Sequence, residues 1–164
     1  LLADMEGSSL MYTENNPATA VSPSITVSDL DTLTDPVLDS ATVTISDGMQ
    51  SGDVLGYSVM GSLISASFDS GSGALTMMGA VSVPDWQTAL RAVTYSSSSE
   101  APTCPQSAPH RTVTFVISDG DASSNAVIRT VIVTPVDDVP DLLAAMDHRS
   151  FRLSAAQIAL CLQQ

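Results

Sequence analysis

Carboxylates dominate the reactive side chains of this sequence. Glu14, the pair Asp29 and Asp31, the pair Asp119 and Asp121, and the pair Asp137 and Asp138 are the groups whose type and spacing suit a hard cation. Calcium takes about six to eight oxygen ligands, so a site needs several carboxylates and carbonyls held together. Residues two apart in extended backbone face the same side, so Asp29 and Asp31 can both aim at one ion. Each of these aspartates also has a plainer reading as a turn residue, because Asp bonds its own backbone locally. Eighteen acidic residues stand against five basic ones, a net charge of -13. Such a surplus repels itself in a compact state unless cations offset it, and calcium is the expected cofactor.

Other chemistries have weaker support. His110 sits beside a Pro-rich segment and His148 near the C-terminus, with no neighbouring motif to orient either as a base. The serines fall in low-complexity runs such as Ser96 to Ser99, so the chain is not expected to be an enzyme. Gly71-Ser-Gly73 reads as a hairpin turn, since a phosphate cradle would place a Lys after it. Cys104 and Cys161 lack zinc-site spacing; two free thiols are expected, with a single bridge between them as the alternative. Trp86 is expected in the core rather than stacked on a sugar. The sequence has no basic stripe to neutralise phosphates, and its charge would be repelled by an anionic membrane surface. No apolar run is long enough to span a bilayer.

The elements that must position these groups are short strands. The length of 164 residues fits one core. With 44% hydrophobic but only 4% aromatic residues, that core must be mainly aliphatic. In Arg111 to Ser118, Val113, Phe115 and Ile117 alternate with Thr112, Thr114 and Val116, the period-two pattern of a half-buried strand. A polar loop, Asp119 to Asn125, leads to a second β-rich run, Ala126 to Thr134, that stops at Pro135. Together they predict an antiparallel hairpin. Further β-type runs are Ser24–Ser28, Ala41–Ser46, Val54–Val59, Ile64–Phe68, Ala74–Met78 and Ala92–Tyr95, and Pro84–Arg91 predicts one short internal helix. Asp119 and Asp121 precede the last strand while Asp137 and Asp138 follow it, roughly 30 Å apart, so the two sets cannot share an ion.

The order Tyr12-Thr-Glu-Asn15, Val27-Ser-Asp-Leu-Asp31, Leu38 to Ile45, Asp85 to Tyr95, Arg111 to Gly120, Arg129 to Thr134 and Val136-Asp-Asp-Val-Pro140 resembles the cadherin-like tandem repeats of large bacterial surface proteins. The resemblance covers about residues 10 to 141. It implies an all-β fold, a cadherin-like, Ig-like Greek-key sandwich, with residues 1–9 as a flank, 10–141 as the repeat and 142–164 as a tail. It also implies an extracellular or cell-surface structural and adhesive module, calcium at its joints, and neighbouring repeats or subunits as partners. It places Asp29 and Asp31 at the pole facing a preceding repeat, and Glu14 with Asp137 and Asp138 at the pole facing a following one.

The alternative is a module that recognises a glycan or receptor through the loop from Glu100 to His110; a weaker one is a non-catalytic accessory to an exported enzyme. Three regions depart from the family pattern. The junction carries Asp138, the Cys104 segment looks inserted, and the tail does not begin another repeat, which implies a terminal or capping position. In the tail, Ser154 to Leu162 has helical composition with Ile158, Cys161 and Leu162 on an apolar edge. Ile128 and Ile132 occupy the alternate face of the last strand, where the similar repeats usually carry Thr, and Met78 follows Met77; these side chains are expected to form an apolar patch for the tail or a neighbouring subunit.

Overall fold

A computed structural model describes residues 2–3, 5–29, 37–99 and 109–136. In chain order the elements are β1 (Leu2–Ala3), β2 (Leu10–Thr13), β3 (Thr19–Ala20), β4 (Thr26–Val27), β5 (Val37–Asp47), β6 (Asp53–Gly56), β7 (Ser65–Asp69), β8 (Ala74–Ser82), α1 (Val83–Arg91), β9 (Thr94–Ser97), β10 (His110–Ser118) and β11 (Val127–Thr134). The described chain is therefore predominantly β-sheet with one helix.

Alternation fixes the large sheet. Its order is β2-β11-β10-β5-β8-β7, antiparallel throughout except that β2 runs parallel to β11. Along β10 every second residue from Arg111 to Ile117 is buried, as the period-two pattern predicts. Register carries that face onto β5, where Val113 lies opposite Ile45, Phe115 opposite Val43 and Ile117 opposite Ala41. A second sheet, β3-β9-β6, packs across this face, and a short pair, β1-β4, closes one corner. Val43, Leu75 and Phe115 from the large sheet and Leu55 and Tyr95 from the small one belong to a single buried cluster. Burying such side chains supplies roughly 1.5–3 kcal/mol each, which is what holds two half-apolar sheets together.

The helix closes an edge of this core. Ser82 caps its start, accepting from the Asp85 amide at 3.4 Å and donating to Asp85 Oδ2 at 2.6 Å, and Pro84 occupies the first turn. Trp86, Ala89 and Leu90 face inward. Trp86 is fully buried and its indole donates to the Leu38 carbonyl at 2.7 Å and the Gly79 carbonyl at 3.1 Å. Its place is in the core, as expected.

The predicted hairpin forms, and the turn at Gly71 to Gly73 joins β7 to β8. The chain before β2 is tied to the sandwich through Leu2. Leu2 pairs with Val27 and is buried, its N–H donates to Asn125 Oδ1 at 3.1 Å, and its carbonyl accepts from Asn125 Nδ2 at 3.0 Å. One expectation needs correction. Ile128 and Met78 are both exposed, but β11 and β8 are separated by β10 and β5, a distance of about 14 Å at normal strand spacing, so they do not form one patch. The tail from 142 onward, Cys104 and Cys161 lie outside the described residues.

Candidate cation-binding poles

The parallel pairing of β2 with β11 brings Glu14 to the end of the last strand. Thr13 lies opposite Thr134, the Glu14 amide donates to the Thr134 carbonyl at 2.9 Å, and the Val136 amide donates to Glu14 Oε2 at 2.8 Å. Glu14 is only 2% exposed, and its other oxygen, Oε1, is buried without a hydrogen-bond partner. A buried carboxylate oxygen left unpaired is costly, and a cation is one way to satisfy it. Asp137 and Asp138 follow Val136 directly in sequence and lie outside the described residues, as does Asp31.

At the opposite end of β11, about 25 Å away, Asp29 and Asp119 line a shared cleft of about 170 Å³ together with Ser123 and Ser124. The pairing of Asp29 with the β10–β11 loop was not apparent in the sequence, because it depends on how the loop folds back. That loop folds by local bonding: Asp119 Oδ1 accepts the amides of Ala122 at 2.7 Å and Asp121 at 2.9 Å, and Ser124 N–H donates to the Ile117 carbonyl at 2.8 Å. Those amides, Ala122 first, hold the Asp119 carboxyl below the usual carboxylate range. Asp119 is thus a turn-building residue through one oxygen, and Asp121 is exposed. Among the described residues no three His, Cys, Asp or Glu side chains gather into a metal cluster.

Two charge networks on the inner face, one wholly buried and one partly exposed through Glu6, escaped sequence reasoning. Arg111 Nε donates to Asp53 Oδ2 at 2.6 Å, Tyr95 Oη donates to Asp53 Oδ1 at 2.8 Å, and the Gln50 amide also reaches Oδ2 at 2.8 Å. Burial first, and the Asp53 charge second, push the Tyr95 phenol well above its ordinary value. Tyr95 also meets Tyr12 edge-on, with ring centroids 5.0 Å apart. In the second network Arg129 Nη1 lies 2.8 Å from Glu6 Oε2 and donates to the Val21 carbonyl. Ser22 Oγ and the Ser24 amide donate to the same carboxylate at 2.6 and 2.7 Å. Burial pushes the Glu6 carboxyl up, but these hydrogen bonds, Ser22 foremost, outweigh it and bring it down to about 2. The available signal was alternation: Arg111 shares its parity with Val113, and Arg129 with Val131, which points both arginines inward. Their partners lie too far off in sequence to be named from it.

Among the described residues no helix is long and apolar enough to cross a membrane. His110 lies exposed at the start of β10 and the Pro109 carbonyl accepts from the Val133 amide at 2.8 Å, while residues 100–108 of the loop offered above as a recognition element lie outside the described residues, as does His148. Set against family models, curated proteins and solved structures, the chain matches none of them.

Proposed function

We propose that the chain is an extracellular structural and adhesive repeat module with a cadherin-like Greek-key sandwich, stiffened by calcium at the pole that carries Glu14. The observation that carries this reading is the buried, unpartnered Glu14 Oε1 at the end of the sandwich. A carboxylate fixed by the Val136 amide, with its second oxygen free, suits a hard cation that takes oxygen ligands. The remaining ligands come from the acidic segment after Val136 and, in a tandem array, from the adjoining repeat. The fold assignment is supported by connections that pass between sheets, from β5 to β6 and from β9 to β10, so that strands distant in sequence become neighbours. A net charge of -13 adds a general demand for counter-cations.

Thermal melts of the chain in millimolar calcium and in chelator test the reading, because an ion bound only by the folded state raises the midpoint. Calcium should raise it, magnesium should do so less, and Glu14→Gln should abolish the shift. Superimposed curves in calcium and chelator would remove calcium from the account.

A further inference from the structure

We propose that the free edge of β7 is a self-association seam, to which the β7 strand of a second copy of this chain adds in antiparallel, two-fold fashion. β7 ends the large sheet. At five residues it is the longest edge strand among the described residues, against four in β2 and β6 and two in β1, β3 and β4. Ser65, Ala66, Ser67 and Asp69 are exposed and Phe68 is half-buried. An uncovered edge offers a row of backbone donors and acceptors to another strand, and proteins usually blunt it with Pro, Lys, a bulge or an inward-pointing charge. β7 carries none of these. Its sequence is Ser-Ala-Ser-Phe-Asp, and its register on β8 runs unbroken from Ser65 opposite Met78 to Asp69 opposite Ala74.

Backbone parity names the occupant. At one end of β7 the Asp69 carbonyl accepts from the Gly73 amide at 2.9 Å, and at the other the Met78 carbonyl accepts from the Ser65 hydroxyl at 3.3 Å. Ser65, Ser67 and Asp69 therefore turn their backbone groups toward β8. Alternate residues of a strand point these groups to opposite sides, so the amides and carbonyls of Ala66 and Phe68 face the open edge. Two copies of β7 satisfy all of them in one register, with Ala66 opposite Phe68 of the second copy, Phe68 opposite its Ala66, and Ser67 opposite Ser67 on the two-fold axis. A shift by two residues leaves half of these groups unmet within the strand, and a shift by one sets outward groups against inward ones. The same register places each Asp69 against a Ser65, so no carboxylate opposes another, and an isologous pairing closes at two copies. It also brings the Gly-rich turn of the second copy, Ser70 to Gly73, alongside Leu63, which is 83% exposed just before β7. At -13 per chain the copies repel at long range, and salt that screens exposed charge beyond about 8 Å strengthens the pairing. A basic peptide on the same edge would respond in the opposite sense. So short a seam makes a weak, concentration-dependent dimer.

Sedimentation of the full chain carrying Cys104→Ser and Cys161→Ser tests the seam, in chelator so that the Glu14 pole plays no part. The dimer fraction should rise with protein concentration from the micromolar to the millimolar range and, at fixed concentration, with added sodium chloride. Ala66→Pro removes an outward N–H that β8 does not use, and should abolish the dimer while the fluorescence of buried Trp86 stays native. Register is read by cross-linking in the same cysteine-free background. Under mild oxidation Ser67→Cys should link two chains at least about tenfold faster than Ser65→Cys, because copies of position 67 face each other while copies of position 65 stand about 13 Å apart along the seam. A chain that stays monomeric throughout would overturn the proposal. So would a dimer that Ala66→Pro leaves intact, equal linking at positions 65 and 67, or a dimer that dissolves as salt rises.

Discussion

Arg111 Nε and Asp53 Oδ2 meet at 2.6 Å with both side chains wholly buried, and this ion pair ties β10 of the large sheet to β6 of the small one. The two charges lie in the same core as Phe115 and Leu55, where water cannot screen them. Removing the Asp53 charge takes from the buried Arg111 guanidinium its ion-pair partner. Asp53→Asn is expected to cost about 3–5 kcal/mol in chemical denaturation. The joint replacement of Asp53 by Leu and Arg111 by Met should cost less than Asp53→Asn alone, because no orphaned charge remains. A double variant less stable than the single one would show that the pair contributes net stability.

The Glu6 network gives a pH dependence with a definite sign. Because the folded-state value is depressed to about 2 from 4.5, its stabilisation is complete above about pH 4.5 and is lost as the pH falls toward 2. Relative to the parent chain, Glu6→Gln should therefore be destabilised near neutrality and converge with it at low pH. Melting both proteins across that range measures the difference, and parallel curves would exclude Glu6 as the source.

Trp86 joins helix to sheet through one indole hydrogen that lies between the carbonyls of Leu38 and Gly79. Trp86→Phe removes the donor and part of the ring volume together. A loss of about 2–4 kcal/mol is expected, seen as a lower denaturation midpoint with unchanged cooperativity.

Gly48 and Gly61 both have positive φ, +72° and +78°, but only one is crowded. A Cβ at Gly48 would collide with the His110 carbonyl oxygen, whereas at Gly61 it would meet nothing within 4 Å. Gly61→Ala should cost about 1 kcal/mol, the ordinary penalty of left-handed backbone for a residue with a side chain. Gly48→Ala should cost clearly more, since the start of β10 must move. Equal losses in thermal melts would contradict the close approach of these two segments.

Much of the architecture was legible in the sequence because strand and helix signals are local. The period-two runs around Val43, Phe115 and Val131, the Pro-initiated helix with Trp86 inward, and the Gly-rich turn after Asp69 all follow from which side chain faces which way. The aliphatic core followed from composition. Tertiary structure alone decided the rest. The burial of Glu14 comes from parallel pairing with a strand more than a hundred residues away, and the meeting of Asp29 with Asp119 comes from a loop folding back at one pole. The partners of Arg111 and Arg129 likewise depend on which strand crosses which. Alternation fixes a face; only the closure of the two sheets fixes what that face meets.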